Sequence, residues 1–539
     1  MATPDGRTYG GGFGRLRESL PSLLSAVSVL FAVVLLSPVA WVLLRAGEVE
    51  SGRAASLLLD PDTLQIVVNS LLLVGVVTGA SLLVGVPLAI LTVQTDLPFR
   101  RFWTVVAALP LVIPSYIGAF AFVSAFGPRG VLQGVLAPLG VERIPAIVGL
   151  LGTAVVLTLF TYPYVYITTR AALLSFDGTV IEAARTLNHS RWEAFWRVTL
   201  PQIKPGIAAG ALLVALYTLS DFGTPQIMRY DVFTRMIFVE YSNFNRGFAA
   251  LLSVLLLVLT LGILVWEARI NASREGAHVA TTGHRAGRVP LGKWTVPALL
   301  FCAGVAFLGL VVPVGVLVMW LFRPSPGYAA GGFAFRLVYA WNSVFVAAAA
   351  AVVAVLVALP IAYLSARGDS WLSSVPERAT YVGYAMPGVV LGLSLVFLGL
   401  KYAGGIYRTL VLLVFAYVVR FVPQAVGTLE SSILQVDPKH VEAARSMGDA
   451  PLRSFRRVVL PQVTPGVFAG GALVFLTTMK ELPATLLLRP AGFETFVTYI
   501  WQVQEQGYYG QAAVPALVLI GVSALSMVVI LRGSSYDVT

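Results

Sequence analysis

Two acidic residues lie inside apolar segments, where a charged side chain is costly and is usually kept for a function. Asp221 stands in Leu219-Ser-Asp-Phe-Gly-Thr224, and Glu481 stands 260 residues later in Met479-Lys-Glu-Leu-Pro483. If the two predicted spans start near residues 206 and 466, about 15 residues of helix raise each acid by about 22 Å towards the outer end of the bilayer. Two equivalent carboxylates at that depth predict a vestibule that attracts a cation.

Other roles for these two acids remain open. Each could pair with a local base, of which Lys480 beside Glu481 is the obvious example, or could contact an external protein. Direct ligation of a metal is less favoured by the sequence. We assign no metal site, because the four histidines have no metal-ligand spacing and all map to segments predicted to be cytoplasmic, at His189, His278, His284 and His440.

A polar, arginine-rich segment occurs twice in this apolar chain. The first copy is Glu182-Ala-Ala-Arg-Thr-Leu-Asn-His-Ser-Arg-Trp-Glu-Ala-Phe-Trp-Arg-Val-Thr-Leu-Pro-Gln202. The second is Glu442-Ala-Ala-Arg-Ser-Met-Gly-Asp-Ala-Pro-Leu-Arg-Ser-Phe-Arg-Arg-Val-Val-Leu-Pro-Gln462, again 260 residues later and without a gap. A repeat of this kind indicates two similar halves.

The local pattern of both copies predicts helix, turn, helix, ended by Leu-Pro. In the first copy Thr179 and Ser190 each precede a glutamate by three residues, which is the spacing of a capping box, and Asn188 can end the first helix in a left-handed conformation. In the second copy Asp437 can cap a helix that begins at Pro438, and Gly448 provides the left-handed end. An ordinary amphipathic loop helix is the alternative interpretation.

The two segments resemble the EAA motif (Glu-Ala-Ala, then Gly, then hydrophobic-x-Leu-Pro) of the membrane permeases of binding-protein-dependent ABC importers. The resemblance implies that each copy is a cytoplasmic coupling helix that docks on an ATP-binding subunit. The first copy departs from the motif at Asn188, but asparagine is the next-best residue for a positive φ, so we expect it to function. The coupling residues implied in this way are Glu182, Ala183, Ala184, Arg185, Asn188, Pro201, Glu442, Ala443, Ala444, Arg445, Gly448 and Pro461.

The composition indicates an integral membrane protein. Of the 539 residues 57% are hydrophobic and only 12% are charged, and the mean hydropathy is +0.83. The net charge of +11 does not indicate a nucleic-acid partner, because most arginines lie in short segments between apolar runs, which is the pattern that orients membrane proteins. Cys302, the single cysteine, lies in an apolar run and is expected to be buried.

We predict an all-α fold of about twelve transmembrane helices. No small-residue cleavage site follows the first apolar run, so we expect an uncleaved first helix. The predicted spans are 24–45, 63–93, 102–125, 145–171, 206–227, 248–267, 294–322, 337–366, 379–400, 409–429, 466–487 and 512–531.

The distribution of lysine and arginine predicts that both termini are cytoplasmic. Both EAA copies then face the cytoplasm, and six spans per half imply two parallel repeats related by a pseudo-two-fold axis. The resemblance makes these repeats MetI-like. The predicted divisions are a cytoplasmic tail (1–23), a first repeat (24–267) with its EAA loop (178–206), a cytoplasmic linker (268–293), and a second repeat (294–532) with its EAA loop (437–466).

A further sign of the repeat is a dipeptide near the start of one span in each half. Asn69-Ser70 opens the second predicted span and Asn342-Ser343 opens the eighth. Side chains of this type form hydrogen bonds between helices in a lipid environment. We therefore predict interhelical hydrogen bonding for them in preference to contact with substrate.

Nothing in the chain predicts ATP hydrolysis. The linker contains Gly287-Arg-Val-Pro-Leu-Gly292-Lys293-Trp294, which approaches a phosphate-binding loop, but Trp294 replaces the serine or threonine that would hold magnesium, and no strand precedes it. We expect no cofactor on this chain, with ATP and Mg²⁺ bound by a partner ATPase subunit.

The fused architecture and the segment Met479-Lys-Glu-Leu-Pro-Ala-Thr-Leu-Leu-Leu-Arg-Pro490, with Asp221-Phe-Gly-Thr224 in the first half, resemble the fused ferric-iron permeases. This resemblance implies import of Fe³⁺ handed over by an external binding protein and powered by two copies of an ATPase subunit. Fused permeases for thiamine, polyamines and phosphonates share the layout and stay as alternatives. Ion-coupled secondary transport is a competing class, against which the duplicated EAA loops and the scarcity of mid-membrane acids argue. A structural scaffold explains neither repeat nor motif.

Overall fold

The computed structural model describes residues 22–127, 147–175, 190–272, 288–322, 335–368 and 371–533, together with positions 133, 138 and 140. Within these ranges the chain is helical, and an isolated parallel bridge between Thr95 and Val289 is its only β pairing. The predicted all-α fold is confirmed. The α-helices are α1 (Ser22–Gly47), α2 (Ser51–Leu58), α3 (Pro61–Gln94), α4 (Arg100–Ala108), α5 (Ser115–Phe126), α6 (Gly149–Leu174), α7 (Arg191–Ala194), α8 (Leu200–Ser220), α9 (Gly223–Ile227), α10 (Phe233–Ser242), α11 (Arg246–Ala272), α12 (Thr295–Ala306), α13 (Val312–Phe322), α14 (Leu337–Arg367), α15 (Trp371–Ala385), α16 (Gly388–Lys401), α17 (Leu410–Leu434), α18 (Pro438–Ser446), α19 (Pro451–Ser454), α20 (Leu460–Met479), α21 (Pro483–Leu488), α22 (Phe496–Glu505) and α23 (Tyr509–Gly533).

The described residues contain nine helices that are long and apolar enough to cross a membrane, or up to eleven if each of two bent pairs is one span. The bent pairs are α4 with α5, at 91°, and α15 with α16, at 101°. The last predicted span corresponds to α23, whose apolar part Tyr509–Leu525 is shorter. Each of the twelve predicted spans therefore overlaps at least one described helix.

Four of the predicted spans are not single continuous helices. The spans 102–125 and 379–400 are bent where Pro114 and Pro387 stand at the N-caps of α5 and α16. The spans 206–227 and 466–487 are broken, because α8 ends at Ser220 and α20 ends at Met479. Proline explains the bends, since it lacks the N–H that a continuing helix needs.

The expected end of the coupling segments at Leu-Pro is wrong. Leu460 and Pro461 begin α20, and the π-helical turn Phe455–Val459 joins α19 to it without a break. Leu460 donates its N–H to the carbonyl of Phe455, five residues earlier. Such a π turn lets a helix continue through a residue that lacks an N–H. The turn Phe195–Thr199 joins α7 to α8 in the same way.

Two compact units make up the chain. The smaller unit comprises Met1–Pro38, Val346–Tyr384 and Val414–Thr478, and the larger unit comprises Val39–Phe345, Ala385–Leu413 and Met479–Thr539. The larger unit contains α3, α6 and α8, whose facing side chains form an apolar core that includes Leu73, Val77, Leu157, Val165 and Val214. The predicted division into repeats and linker stays a prediction.

Each unit contains a close helix contact built on two glycines. In the larger unit a Cβ on Gly206 would stand 2.6 Å from the Cβ of Ala172, so α8 lies directly on α6. In the smaller unit a Cβ on Gly466 would stand 2.7 Å from the Cβ of Ser432, so α20 lies as closely on α17. The second glycines follow at 210 and 470. Small residues at this spacing let spanning helices approach closely, and the same arrangement recurs 260 residues later.

Candidate functional site

The second coupling segment, residues 437–462, begins with the predicted helix. The Asp437 carboxylate accepts the Lys439 N–H at 2.9 Å, with Pro438 in the first helical position of α18. At the other end Gly448 has φ +93°. Its N–H donates to the Arg445 carbonyl at 3.0 Å, and the Asp449 N–H donates to the Ala444 carbonyl at 3.1 Å. This pair of bonds is the Schellman motif, so the predicted start and end of the helix are confirmed.

The two alanines of the second motif have different surroundings. Ala444 is only 4% exposed, whereas Ala443 is exposed. Glu442 and Arg445 are exposed on either side of the pair. The small side chain of Ala443 therefore leaves a low surface between two charged residues, while Ala444 packs against the protein. Their role in coupling stays a prediction.

Two apolar side chains beside this motif were not identified from the sequence. Met447 is 82% exposed and Leu452 is 72% exposed, at the turn between α18 and α19. Exposed large apolar residues next to a predicted docking helix mark a surface that a partner would cover. The sequence did carry a signal for these two residues, because large apolar residues, Leu187 and Trp192, occupy the equivalent positions of the first copy.

The first part of the first coupling segment, up to residue 189, lies outside the described residues, and with it lie the predicted cap Thr179 and the predicted coupling residues Glu182, Ala183, Ala184, Arg185 and Asn188. The described chain resumes at Ser190. The Ser190 N–H donates to the Glu193 carboxylate at 2.9 Å, and the Glu193 N–H donates to Ser190 Oγ at 3.2 Å, so this predicted capping box is confirmed. Pro201 lies in the first turn of α8, as Pro461 does in α20.

Asp221 lies at the break between α8 and α9 in the larger unit. Its backbone is extended there, with φ −73° and ψ 125°. One carboxylate oxygen accepts the Thr224 N–H at 3.0 Å, and the other accepts the Ser115 hydroxyl at 2.6 Å. The carboxylate therefore satisfies the first turn of α9 and ties it to the first residue of α5.

Glu481 lies at the equivalent break between α20 and α21, also in the larger unit. Its carboxylate accepts the Ala484 N–H at 3.2 Å, and its backbone carbonyl accepts the Thr485 hydroxyl. The side chain is only 6% exposed. Both acids thus perform one structural task, which is to supply acceptors to the short helix that follows each break.

Lys480 does not pair with the adjacent Glu481, contrary to one interpretation of the sequence. Its ammonium donates to the Leu111 carbonyl at 3.2 Å, in the turn Leu109–Val112 between α4 and α5. That turn ends the helical segment that begins with α4, and the last carbonyls of a helix have few partners within it. The lysine joins the break of α20 to the break of α4.

The helix breaks that follow α4, α8 and α20 also meet at an apolar contact. A Cβ on Gly223 would stand 2.5 Å from the Cβ of Tyr116 and 3.6 Å from a methyl carbon of Leu482. Tyr116 is buried, and its hydroxyl has no hydrogen-bond partner among the described residues but lies within electrostatic range of Glu481. The first turns of α5, α9 and α21 therefore converge, and we call residues 109–116, 221–224 and 480–485 the break cluster.

A break cluster of this kind suits a transport path better than it suits catalysis. Unwound backbone at membrane depth is tolerated where it is buried in protein or lines a cavity, and discontinuous helices mark substrate sites in transporters. The described residues hold no group of three or more His, Cys, Asp and Glu that could bind a metal ion. The two acids are placed singly, Asp221 at the α8–α9 break and Glu481 at the α20–α21 break.

Comparison with known proteins identifies two matching regions in the chain. The family described as binding-protein-dependent transport system inner membrane component matches residues 81–272 and again residues 358–533. The first match contains the α8–α9 break, and the second contains the α20–α21 break and all of α18.

Individual relatives extend the similarity over nearly the whole chain. The Fe(3+)-transport system permease protein FbpB 2 of Haemophilus influenzae is 31% identical over 93% of this chain and 96% of its own length. The ferric transport system permease protein FbpB of Actinobacillus pleuropneumoniae is 23% identical over 85% and 69%. The molybdate/tungstate transport system permease protein WtpB of Thermococcus kodakarensis is 27% identical over 45% of this chain and 92% of its own length.

Proposed function

Because this chain belongs to the family of binding-protein-dependent transport system inner membrane components, we propose that it imports ferric iron. It is a multi-pass membrane permease of the ABC importer type, and its ATP is hydrolysed by a separate subunit. The observation that carries the proposed substrate is the similarity over 93% of the chain to a relative named as an Fe(3+)-transport permease. An external binding protein would deliver the iron.

The coupling segments are the proposed docking sites for two ATPase subunits, one at each copy, with ATP and Mg²⁺ bound there. The exposed Glu442, Ala443 and Arg445, together with Met447 and Leu452, supply charged and apolar contacts for such a subunit. This proposal requires both EAA copies and both chain termini to be cytoplasmic. The gapless repeat of the segment 260 residues later supports docking at both copies.

The break cluster is the proposed translocation path, with Asp221 and Glu481 as the acids that attract the cation. Capping and charge can be separated by mutation. Asp221→Asn with Glu481→Gln keeps an acceptor oxygen for each short helix but removes both charges, so we expect a folded protein whose uptake falls by about tenfold or more. Alanine at both positions also removes the caps, each of which contributes about 0.5–2 kcal/mol. Uptake within twofold of the wild type in the amide variant would exclude the charge role.

Substrate competition in cells tests the proposed function. A strain that lacks its own ferric uptake would express this chain with its ATPase and binding protein, and its accumulation of radiolabelled ferric iron would be measured. We expect saturable accumulation that a large excess of molybdate or spermidine leaves unchanged. If excess molybdate suppressed iron accumulation, we would instead assign an oxyanion substrate, as named for the Thermococcus relative that matches 45% of this chain. Suppression by spermidine would favour the polyamine alternative.

A further inference from the structure

The two Asn-Ser pairs make the same hydrogen bonds in both halves of the chain. Asn69 donates its side-chain amide to the carbonyl of Asp231 at 3.0 Å, and Asn342 donates to the carbonyl of Glu494 at 2.8 Å. These acceptors lie two residues before α10 and α22, respectively. The sequence prediction of interhelical bonding is confirmed, and all four of these residues lie in the larger unit.

The two serines complete the arrangement by capping a neighbouring helix. Ser70 Oγ accepts the N–H of Phe233, the first residue of α10, at 3.1 Å, and Ser343 Oγ accepts the N–H of Phe496, the first residue of α22, at 2.7 Å. Each hydroxyl donates its own proton to the carbonyl four residues earlier in its own helix. The serines are 2% and 4% exposed, so each satisfies an orphan N–H at a buried helix start.

The acids whose carbonyls accept from the asparagines are held as well. Asp231 forms an ion pair with Arg235, and Glu494 forms one with Arg489. The four-residue sets Asn69, Ser70, Asp231 and Phe233, and Asn342, Ser343, Glu494 and Phe496, are here called latches. In both latches the same atoms form the same hydrogen bonds.

Both latched helices contact one residue of the break cluster. Phe222, the neighbour of Asp221, is 1% exposed, with its ring 4.9 Å from that of Phe238 on α10 and 5.4 Å from that of Trp501 on α22. In addition Thr234, in the first turn of α10, donates to the Asp221 carbonyl at 2.7 Å. The position of the break therefore depends on helices that the latches fix.

We propose that the two latches are positioning devices for transport, which hold α10 and α22 against α3 and α14 so that both clamp Phe222 and fix the α8–α9 break. The latch residues act through the break and do not contact substrate. Loss of the latches should loosen the starts of α10 and α22, and the break with them, while the coupling segments keep their structure. Transport should then suffer more than ATP hydrolysis does.

The test uses Ser70→Ala with Ser343→Ala in the complete transporter with its ATPase and binding protein. Ser253→Ala is the matched control, because Ser253 is equally buried on α11 and donates to the Ala249 carbonyl four residues earlier. Hydrogen exchange should be about tenfold faster for the first turns of α10 and α22 in the latch variant only. Ferric uptake should fall by about fivefold or more, with ATP hydrolysis within about twofold of the wild type.

A conservative replacement keeps the test decisive if the alanine variant is poorly folded. Ser70→Thr with Ser343→Thr retains both hydroxyls and should restore slow exchange and most of the uptake. Unchanged exchange at α10 and α22 in the alanine variant would overturn the proposal, as would equal uptake in the latch and control variants. The uptake assay rests on the proposed substrate. If the wild type takes up no ferric iron, that result rejects the proposed function alone. Hydrogen exchange and ATP hydrolysis would still test whether the latches position α10 and α22.

Discussion

Replacing Gly210 with alanine measures how closely α8 and α6 must approach in the larger unit. A Cβ built on Gly210 stands 2.7 Å from the Cα of Val165. Carbon atoms that are not bonded prefer about 3.5–4.0 Å, so the helices would have to separate by about 1 Å. The side-chain oxygen of Thr168 is nearer still, but because the Val165 Cα belongs to the backbone, no side-chain rotation relieves that contact.

The size of the effect follows from two opposing contributions. Overpacking of a tight contact costs about 1–3 kcal/mol, whereas alanine gains about 0.5–1 kcal/mol over glycine in a helix. The net expectation for Gly210→Ala is a loss of up to about 2.5 kcal/mol. At Gly470, the equivalent position in the smaller unit, the Cα of Ala425 is 3.1 Å away, so Gly470→Ala should cost less.

Gly262 on α11 is the matched control, because a Cβ there meets no atom within 4 Å. Gly262→Ala should be neutral or stabilising by up to about 1 kcal/mol. Unfolding of the three variants in the same detergent should therefore rank Gly210→Ala as least stable, then Gly470→Ala, then Gly262→Ala. Equal unfolding midpoints for Gly210→Ala and Gly262→Ala would refute the close packing of α8 on α6.

Three further predictions concern surfaces and helix ends. Met447→Asp should weaken binding of the ATPase subunit by about tenfold, measured by titration of the subunit; unchanged affinity would remove this side chain from the docking surface. Gly448→Val should destabilise the end of α18 by about 1–2 kcal/mol, and Gly448→Asn by less; hydrogen exchange of α18 measures both, and equal effects would contradict the argument from φ. The Lys401 ammonium and then the Arg45 guanidinium lower the pKa of the Glu48 carboxyl, so this contact stabilises the fold above the ordinary glutamate pKa and is lost as pH falls through the lowered value. Glu48→Gln should therefore unfold at a slightly lower temperature than the wild type at pH 7, but at the same temperature at a pH below the lowered pKa of Glu48. A difference in unfolding temperature that persists at that acid pH would contradict the ion pair.

Local and compositional signals in the sequence predicted the class, the spans and the ends of α18. Asp437, Pro438 and Gly448 act within a few residues of where they stand, and hydropathy over a spanning length needs no knowledge of neighbours. The bends at Pro114 and Pro387 carried a readable signal too, because a proline inside an apolar run interrupts the helix. We nevertheless predicted a single span at each of these prolines.

The break cluster could not be predicted, because its contacts join distant parts of the chain. The sequence identified Asp221 and Glu481 as unusual charges but could not show that both cap short helices. The Ser115 partner of Asp221 is 106 residues away, and the Leu111 partner of Lys480 is 369 residues away. An acid in an apolar run predicts that a partner exists, but tertiary packing alone determines which one.

ATP-driven uptake into proteoliposomes tests the central claim most directly. Vesicles would contain this chain with its ATPase subunit, the binding protein and radiolabelled ferric iron outside, and ATP or a non-hydrolysable analogue inside, with the wild type compared against Glu182→Ala with Glu442→Ala. We predict that iron enters only with ATP and that the double variant folds but does not import. Uptake that follows an ion gradient without ATP, or that survives in the double variant, would contradict an ATP-coupled permease driven through these two segments.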